Sequence, residues 1–409
     1  MGKDLNGKEL GRGITQRKDG RYMGRIHIRG SKKEVTLYDR NLKMLKNKVN
    51  TYRALAGTSQ WDISMTVTEW FEQWMEIYNV PVLKATTIRN YWDGFKRIQP
   101  LIGDRRVIDI KSNNILSALY VLKENGYAPA TIKQTFTILK VMFSMAYRVR
   151  AVLYNPCEGM RAPTERTHQE IIEREESQNL EKDVQRFLDV CRHTRYYELF
   201  YILSRTGLRI GEACALEWKD VDLERKCIYI DKTVNKVKKY YDSKGRKMES
   251  SKMVAQITSP KKQASYRIVP ISDETVNAFA AWKTKQLADK QRWGRKWGIK
   301  NELLKDFPDL IFTTSPGKTY LPGYATQECK RISDCINRRE KQMALSENRE
   351  SEFIHIHPHL FRYFYVTKCV EKGMNPVMIG KITGHAEIRM TQHYTRLSDE
   401  FILRQHEVH

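Results

Sequence analysis

Polar and apolar residues alternate in the first part of the chain, a pattern that predicts short β-strands. From Arg21 to Ile28 basic residues alternate with apolar ones, and Asp19-Gly20 just before them is a strong hairpin signal. A second run with strand character follows at 34–39. Residues 41–56 then carry apolar side chains at helical spacing, namely Leu42, Leu45, Val49, Tyr52 and Leu55. Residues 1–60 are therefore predicted to form a three-stranded sheet backed by one helix.

Residues 65–155 carry four apolar stripes at helical spacing. The first stripe comprises Val67, Trp70, Phe71, Trp74 and Ile77. Pro81 is expected to help end that helix. Three further helices are predicted to begin near Thr86, Asn113 and Pro129, each with its own apolar stripe. Four helices joined by short links predict a compact bundle.

The rest of the chain is predicted to form a linker and one large unit. Residues 156–176 are rich in proline, glycine and glutamate and are predicted to be an interdomain linker. Residues 177–409 begin helical, pass through strands between Cys227 and Ile271, and return to helices. The expected fold is thus multidomain and mainly α with small β-sheets: a sheet-plus-helix domain at 1–60, a four-helix bundle at 65–155 and an α+β domain at 177–409.

The composition narrows the class of protein. The 409 residues include 72 Lys and Arg against 48 Asp and Glu, a net charge of +24, which favours a nucleic acid partner. A merely soluble basic protein stays open on charge alone. No apolar run is long enough for a transmembrane helix, and the N-terminus lacks the apolar stretch of a signal peptide, so no membrane partner is expected. The 7 cysteines are scattered without a Cys-x-x-Cys pair, which indicates a reducing cytoplasm.

The positive charge is placed where it could hold DNA. Residues 1–60 have 15 Lys and Arg against 5 Asp and Glu, and the basic face of the predicted sheet could enter a DNA groove. The candidate DNA contacts there are Arg17, Lys18, Arg21, Arg25 and Arg29. In the predicted bundle, the candidates that could grip phosphates are Lys84, Arg89, Lys133 and Lys140. An ordinary solvated face is the alternative for both sets.

Three segments of the last unit hold basic residues in contexts that net charge does not explain. Arg209 lies between two glycines and is followed three residues later by Glu212, which could orient the guanidinium. Lys261 is predicted to lie at a β-hairpin tip, between strands at 254–258 and 267–271. His359 and Arg362 are three residues apart, so one helical face presents both. Each feature alone is weak evidence for an active site. Arg209 and Glu212, for example, could form a salt bridge that serves only to stabilise the fold.

Together these residues suit phosphoryl transfer without a metal. Two arginines can hold the non-bridging oxygens of a phosphodiester, where charge develops in the transition state. A tyrosine hydroxyl can be the nucleophile, and a lysine can protonate the departing oxygen. His355, His357 and His359 alternate and could suggest a metal, but Pro358 interrupts them and no carboxylate pair follows at useful spacing. No metal or other cofactor is expected.

The order of these motifs resembles the tyrosine recombinases, the phage integrase family. The similar stretches are Thr206-Gly207-Leu208-Arg209 with Glu212, Pro260-Lys261 with Ser265 and Arg267, His359-Leu360-Phe361-Arg362, Gly384-His385-Ala386 and Gln392-His393-Tyr394-Thr395. The predicted bundle looks like the family's core-binding domain. The sheet-plus-helix start is similar to the arm-binding domain of integrases from conjugative transposons and phages.

The resemblance implies a role for each matching residue. Tyr394 would attack the scissile phosphate and become linked to the DNA 3′ end, while Arg209 and Arg362 stabilise the phosphorane. Lys261 would be the general acid for the 5′ hydroxyl. The supporting residues would be His359, His385 and Glu212. The sequence departs from the family at Tyr363 and at Lys262, and Lys262 leaves open which of the two lysines reaches the leaving group.

The resemblance also implies the partners. These are double-stranded DNA with core-type and arm-type sites, a homotetramer on DNA that passes through a Holliday junction, and excisionase and DNA-bending accessory proteins. The expected function is a site-specific integrase that inserts and excises a mobile element, acting in the bacterial cytoplasm on the nucleoid. Two rivals stay open: a DNA-binding regulator without catalysis, and a type IB topoisomerase.

Overall fold

The computed structural model describes residues 2–27, 34–58, 62, 64–163, 180–242, 244–260 and 265–384. The chain divides by its internal contacts into two units. The first comprises residues 1–166 together with 238–252, and the second comprises 167–237 together with 253–409. The predicted boundaries at 1–60, 65–155 and 177–409 are finer than this division and remain predictions.

The first unit begins with the predicted sheet. Strands β3 (Ile14–Gln16), β4 (Tyr22–His27) and β5 (Glu34–Asp39) pair antiparallel in that order. Helix α1 (Leu42–Thr58) covers one face of this sheet. Leu45 and Val49 of α1 pack with Ile26 and Leu37 of the sheet in one small core. Two short strands that were not predicted, β1 (Gly2–Lys3) and β2 (Glu9–Gly11), pair with each other ahead of it.

The helical part of the first unit confirms the predicted mainly helical bundle. Its helices are α2 (Val67–Trp74), α3 (Ala85–Ile102), α4 (Ser112–Glu124) and α5 (Pro129–Arg148). A capping box between Thr66 and Glu69 starts α2. The assignment of Ile77 to the first apolar stripe is wrong, because the helix continues as a π-helix at Met75–Asn79. The wider π turn shifts the register, so that Ile77 is 53% exposed while Asn79 is buried.

The same unit contains the tip of a hairpin from the later sequence. Strands β8 (Thr233–Tyr241) and β9 (Lys247–Thr258) pair with each other, and their tip belongs to the first unit. Tyr240 and Tyr241 are buried in the helical core, where the Tyr240 ring stacks on Trp92 at a centroid distance of 5.2 Å. The Tyr240 hydroxyl donates to Asp93 at 3.2 Å. Sequence patterns did not predict this contribution to the bundle.

The second unit combines helices with a small sheet and the base of the β8–β9 hairpin. Its helices are α6 (Leu180–Cys191), α7 (Tyr197–Thr206), the short α8 (Ile210–Ala213), α9 (Asp273–Trp293), α10 (Leu303–Asp306), α11 (Pro322–Ser346), α12 (Pro358–Glu371) and α13 (Pro376–Thr383). Strands β6 (Val221–Asp222), β7 (Cys227–Ile230) and β10 (Arg267–Pro270) form an antiparallel sheet in the order β10-β7-β6. One apolar core joins these elements and includes Phe187, Phe200 and Phe361. The predicted α+β character of this region is confirmed.

Across the described ranges, no helix has both the length and the apolar character needed to cross a membrane.

Candidate active site

Arg209 lies at the turn that joins α7 to α8. Gly207 caps α7 in the left-handed conformation, with φ of 62°, and Arg209 then occupies the position just before α8. The Glu212 carboxylate accepts the Arg209 backbone N–H at 2.9 Å and its Nη1 at 2.8 Å. The predicted pairing of Arg209 with Glu212 is therefore present. The Arg209 side chain remains 37% exposed, so its guanidinium can still meet a ligand from solvent.

A second arginine, Arg267, shares the same carboxylate. Its Nη2 and Nη1 donate to the two Glu212 oxygens at 2.7 and 3.1 Å, and its side chain is only 4% exposed. Burial alone would raise the pKa of Glu212, but the hydrogen bonds and charge of Arg267, with the charge of Arg209, hold that pKa below its usual value. Glu212 is thus a buried, ionised carboxylate between two guanidinium groups.

Arg362, from the first turns of α12, is the third arginine of the site and is 1% exposed. Its Nη1 donates to the Gly207 carbonyl at 2.8 Å and its Nη2 to the Thr383 carbonyl at 2.6 Å. Arg362 therefore joins the start of the Arg209 turn to the end of α13.

The three arginines converge on the C-terminal end of α13. Arg267 donates to the carbonyl of Ile382 at 2.6 Å, Arg362 to that of Thr383, and Arg209 to that of Gly384 at 3.2 Å. These carbonyls lack helical partners and carry the negative end of the helix dipole, so cations stabilise them. Three guanidinium groups against one carboxylate leave this cluster with a surplus of positive charge, which suits a phosphate group.

His359 lies one turn before Arg362 on α12. Its side chain is exposed on one side, yet partial burial together with the positive charges of Arg362 and Arg209 lowers the pKa of its imidazole. The lowered pKa favours the neutral imidazole, which has one donor and one acceptor nitrogen. Among the described residues, no group of three His, Cys, Asp or Glu could hold a metal ion.

Several predicted site residues lie outside the described residues: Lys261, Lys262, His385, Tyr394 and Arg29. The described strands on either side of the Lys261 segment belong to different sheets. This segment follows β9, which pairs with β8, and precedes β10, which pairs with β7. The prediction that Lys261 sits at the tip of a hairpin between two paired strands is therefore wrong for the described strands, because each flanking strand belongs to a different sheet.

Three candidate DNA contacts near the N-terminal sheet, Arg17, Arg21 and Arg25, form exposed ion pairs with nearby carboxylates. Asp19 accepts from Arg21 at 2.7 Å and also faces Arg17 at 3.4 Å. Arg25 lies 3.7 Å from Glu34 on the neighbouring strand. Lys18 is exposed at the turn. Such exposed pairs are weak in water, so phosphate groups can compete for these arginines.

The candidate contacts of the bundle lie on the outside of α3 and α5. Lys133 and Lys140 are exposed on α5, two turns apart. Lys84 is exposed just before α3, and Arg89 faces Asp93 at 3.3 Å within it. Both helices direct their apolar stripes inward, which leaves these four cations at the surface.

Sequence reasoning missed the part played by Arg267. Alternation along β10 places Arg267 on the same side as Val269, which is fully buried, and leaves Ile268 56% exposed. The charge of Arg267 favours an outward position for that face, while Ile268 on the other face is apolar. The available sequence signal was the apolar pair Val269 and Ile271, two residues apart, whose shared face also includes Arg267.

Comparisons with known proteins find similar sequences and similar folds. Residues 179–400 match the phage integrase family, and residues 66–117 match its N-terminal SAM-like domain. The tyrosine recombinase XerC-like protein of Caldanaerobacter subterraneus subsp. tengcongensis is 25% identical over 80% of this chain and 78% of its own length. The transposase from transposon Tn916 of Enterococcus faecalis is 25% identical over 72% of this chain and 64% of its own length.

Solved structures show a similar fold. The Tn1549 transposon integrase in complex with a circular intermediate DNA has a TM-score of 0.60 and 21% identity, covering 84% of this chain and 99% of that one. A lambda integrase tetramer bound to a Holliday junction has a TM-score of 0.50 and 16% identity, covering 96% of this chain and 98% of that one. Since the family match spans more than half of the sequence, the chain belongs to the phage integrase family, the tyrosine recombinases.

Proposed function

We propose that this recombinase integrates and excises a mobile element, cleaving and rejoining DNA through a 3′-phosphotyrosine link and a Holliday junction. The observation that carries the proposal is the convergence of Arg209 and Arg362 on the adjacent carbonyls of Gly384 and Thr383. Two guanidinium groups held side by side can bind both non-bridging oxygens of one phosphodiester.

In the proposed reaction, the Tyr394 hydroxyl oxygen attacks the scissile phosphorus and the bond from phosphorus to the 5′ oxygen breaks. Arg209 and Arg362 stabilise the charge of the five-coordinate transition state, where a preorganised donor is most effective. Lys261 gives a proton to the departing 5′ oxygen, the neutral His359 imidazole takes up the proton of the Tyr394 hydroxyl, and both His359 and His385 hydrogen-bond the phosphate. The new phosphotyrosine bond replaces the broken one, so a 5′ hydroxyl of another strand can reverse the reaction without a cofactor.

Glu212 keeps Arg209 in place for this reaction. Its carboxylate is ionised and buried, and it accepts from both the side chain and the backbone of Arg209. The charge that binds the phosphate is therefore fixed before DNA arrives, which lowers the reorganisation needed in the transition state.

The proposed assembly is a homotetramer that bridges two DNA duplexes. The bundle would hold core-type sites through Lys84, Arg89, Lys133 and Lys140, and the N-terminal sheet would hold arm-type sites through Arg17, Lys18, Arg21, Arg25 and Arg29. The Tn1549 integrase binds a circular intermediate DNA and the lambda integrase binds a Holliday junction as a tetramer, which supports this proposal. Excisionase and DNA-bending proteins would assist it on the bacterial nucleoid.

A nicked suicide substrate tests the proposal. The nick lets a short 5′ fragment diffuse away after cleavage, so the covalent protein–DNA complex accumulates. The wild-type chain should form this complex at its own site in the presence of a chelator, and Tyr394→Phe should form none. A complex with Tyr394→Phe would contradict the proposed nucleophile, and relaxation of supercoiled DNA without a specific site would favour a topoisomerase instead.

A further inference from the structure

The structure points to a further positioning residue for the reaction of the proposed function. We propose that Arg267 holds Glu212, and through Glu212 the guanidinium of Arg209, in the geometry that receives the scissile phosphate. The inference rests on the proposed function, because it concerns the same phosphate site.

The first argument is the shared carboxylate. Glu212 accepts four hydrogen bonds: two from the Arg267 guanidinium and two from Arg209. Arg267 binds it through both oxygens, an arrangement that fixes the plane of the carboxylate as well as its position. The direction of the Arg209 guanidinium therefore depends on Arg267, whose own guanidinium is held by protein oxygens.

The second argument is the set of segments that Arg267 joins. Besides Glu212, it donates to the Ser265 carbonyl at 3.1 Å and to the Ile382 carbonyl at 2.6 Å. Ser265 follows directly after the segment that carries Lys261, and Ile382 lies in the last turn of α13, ahead of the segment that carries Tyr394. One guanidinium thus holds a described residue next to each of these two segments.

The third argument concerns the protonation of Glu212 when Arg267 is removed. Burial is the largest influence on Glu212 and raises its pKa, and the contacts of Arg267 are the largest opposing influence. Without them the carboxylate is stabilised in its protonated form, and Arg209 loses a charged acceptor. A variant at position 267 should therefore lose cleavage as the pH falls, within a range where the wild-type chain is still active.

The test uses Arg267→Lys in the full chain on nicked DNA. Lysine keeps the charge but cannot bind both carboxylate oxygens at once. We expect the single-turnover cleavage rate to fall by about 10–100-fold, the scale of a displaced catalytic group, with DNA affinity unchanged within about 3-fold. Arg225→Lys, at an exposed position 3.8 Å from Asp222, is the matched control and should cleave like the wild type.

A second substrate separates positioning from a merely structural effect. A methylphosphonate at the scissile position replaces one charged oxygen with a methyl group, and removes much of the need for Arg209. If Arg267 acts through Arg209, the defect of Arg267→Lys shrinks to within about 3-fold of the wild type on this substrate. Each comparison is a ratio between two substrates for the same preparation, so partial unfolding of a variant cancels.

The outcomes are distinct. An equal loss on both substrates, or a loss of DNA affinity as large as the loss of rate, overturns the role of Arg267. A wild-type chain that forms no covalent complex on ordinary nicked DNA overturns the proposed function, and this inference with it. Rescue by methylphosphonate, together with a cleavage profile shifted to higher pH, supports Arg267 as the positioning residue.

Discussion

At the residue scale, the site shows how a protein keeps several cations together without an anionic ligand. Arg209, Arg267 and Arg362 repel one another, and the repulsion is offset by the Glu212 carboxylate and by the carbonyls at the end of α13. A buried charge is costly unless its donors are satisfied, and each of these arginines donates to at least one protein oxygen. The arginine cluster is therefore formed by the fold itself.

The exposed arginine of this set should carry a large share of the transition-state stabilisation. Arg209→Ala should lower the single-turnover cleavage rate by about 100- to 1,000-fold, as removal of one preorganised donor does elsewhere. The rate on nicked DNA, measured with affinity for the same site, checks this. Arg225→Ala is the control for loss of one exposed positive charge. If Arg209→Ala cleaves as fast as Arg225→Ala, the role of Arg209 is contradicted.

His359 gives the cleavage reaction a pH dependence with a defined sign. Its pKa is lowered, so the imidazole gains a proton only at a pH below the range of an ordinary histidine. If the neutral form supports proton transfer, the cleavage rate stays level through neutral pH and falls on the acid side of that range. Single-turnover rates across about pH 5–8 check this for the wild type and His359→Asn, in which the fall should disappear. A fall that begins above neutral pH would contradict it.

At the element scale, the sequence predicted which segments are helices and strands better than how they meet. The apolar stripes of α2 to α5 follow from helical periodicity, which acts between near neighbours. The π-helix that exposes Ile77 and the burial of Arg267 depend on packing against distant segments, so local patterns did not reveal them. The pairing of β10 with β7 was likewise not predicted, because the sequence pattern placed Lys261 at the tip of a simple hairpin.

The turn between α7 and α8 should be sensitive to one methyl group. At Gly207, with φ of 62°, an added Cβ would collide with the Tyr365 ring, and the Gly207 carbonyl accepts from Arg362. Gly207→Ala should combine a backbone cost of roughly 1–2 kcal/mol with an overpacking cost of roughly 1–3 kcal/mol. The midpoint temperature of thermal unfolding and the cleavage rate should both fall.

Gly373 offers a matched control for this substitution. It ends α12 with φ of 74°, but an added Cβ there would meet no atom within 4 Å. Gly373→Ala should therefore show only the backbone cost, with cleavage retained. Equal loss of stability in the two variants would show that the Tyr365 contact is unimportant.

At the scale of the whole molecule, charge and motif order predicted the class of protein, and the family match confirmed it. The net charge of +24 indicated a nucleic acid partner, while the spaced arginine, histidine and tyrosine motifs indicated the chemistry. The division of the chain was harder to predict. The tip of the β8–β9 hairpin belongs by its contacts to the first unit although it lies far along the sequence, and only long-range packing decides this.

DNA affinity should depend strongly on salt, and substitutions in the N-terminal sheet and in the bundle should weaken different DNA sites. If several phosphates are bound per chain, affinity should fall by orders of magnitude between about 50 and 200 mM salt. Arg25→Ala should weaken arm-type sites and reduce the salt slope there by about 1, while Lys133→Ala should do the same for core-type sites. Binding titrations of each variant on each DNA check this. A flat salt response, or variants that weaken both DNAs alike, would contradict the two-site arrangement.

The covalent link is the central claim, and mapping its position tests that claim most directly. The wild-type chain is trapped on nicked DNA, digested with trypsin and nuclease, and the peptide that retains a nucleotide is identified by mass spectrometry. The account predicts a 3′-linked nucleotide on Tyr394, in the peptide of residues 390–396. A nucleotide on any other residue, or a link to the DNA 5′ end, would contradict it.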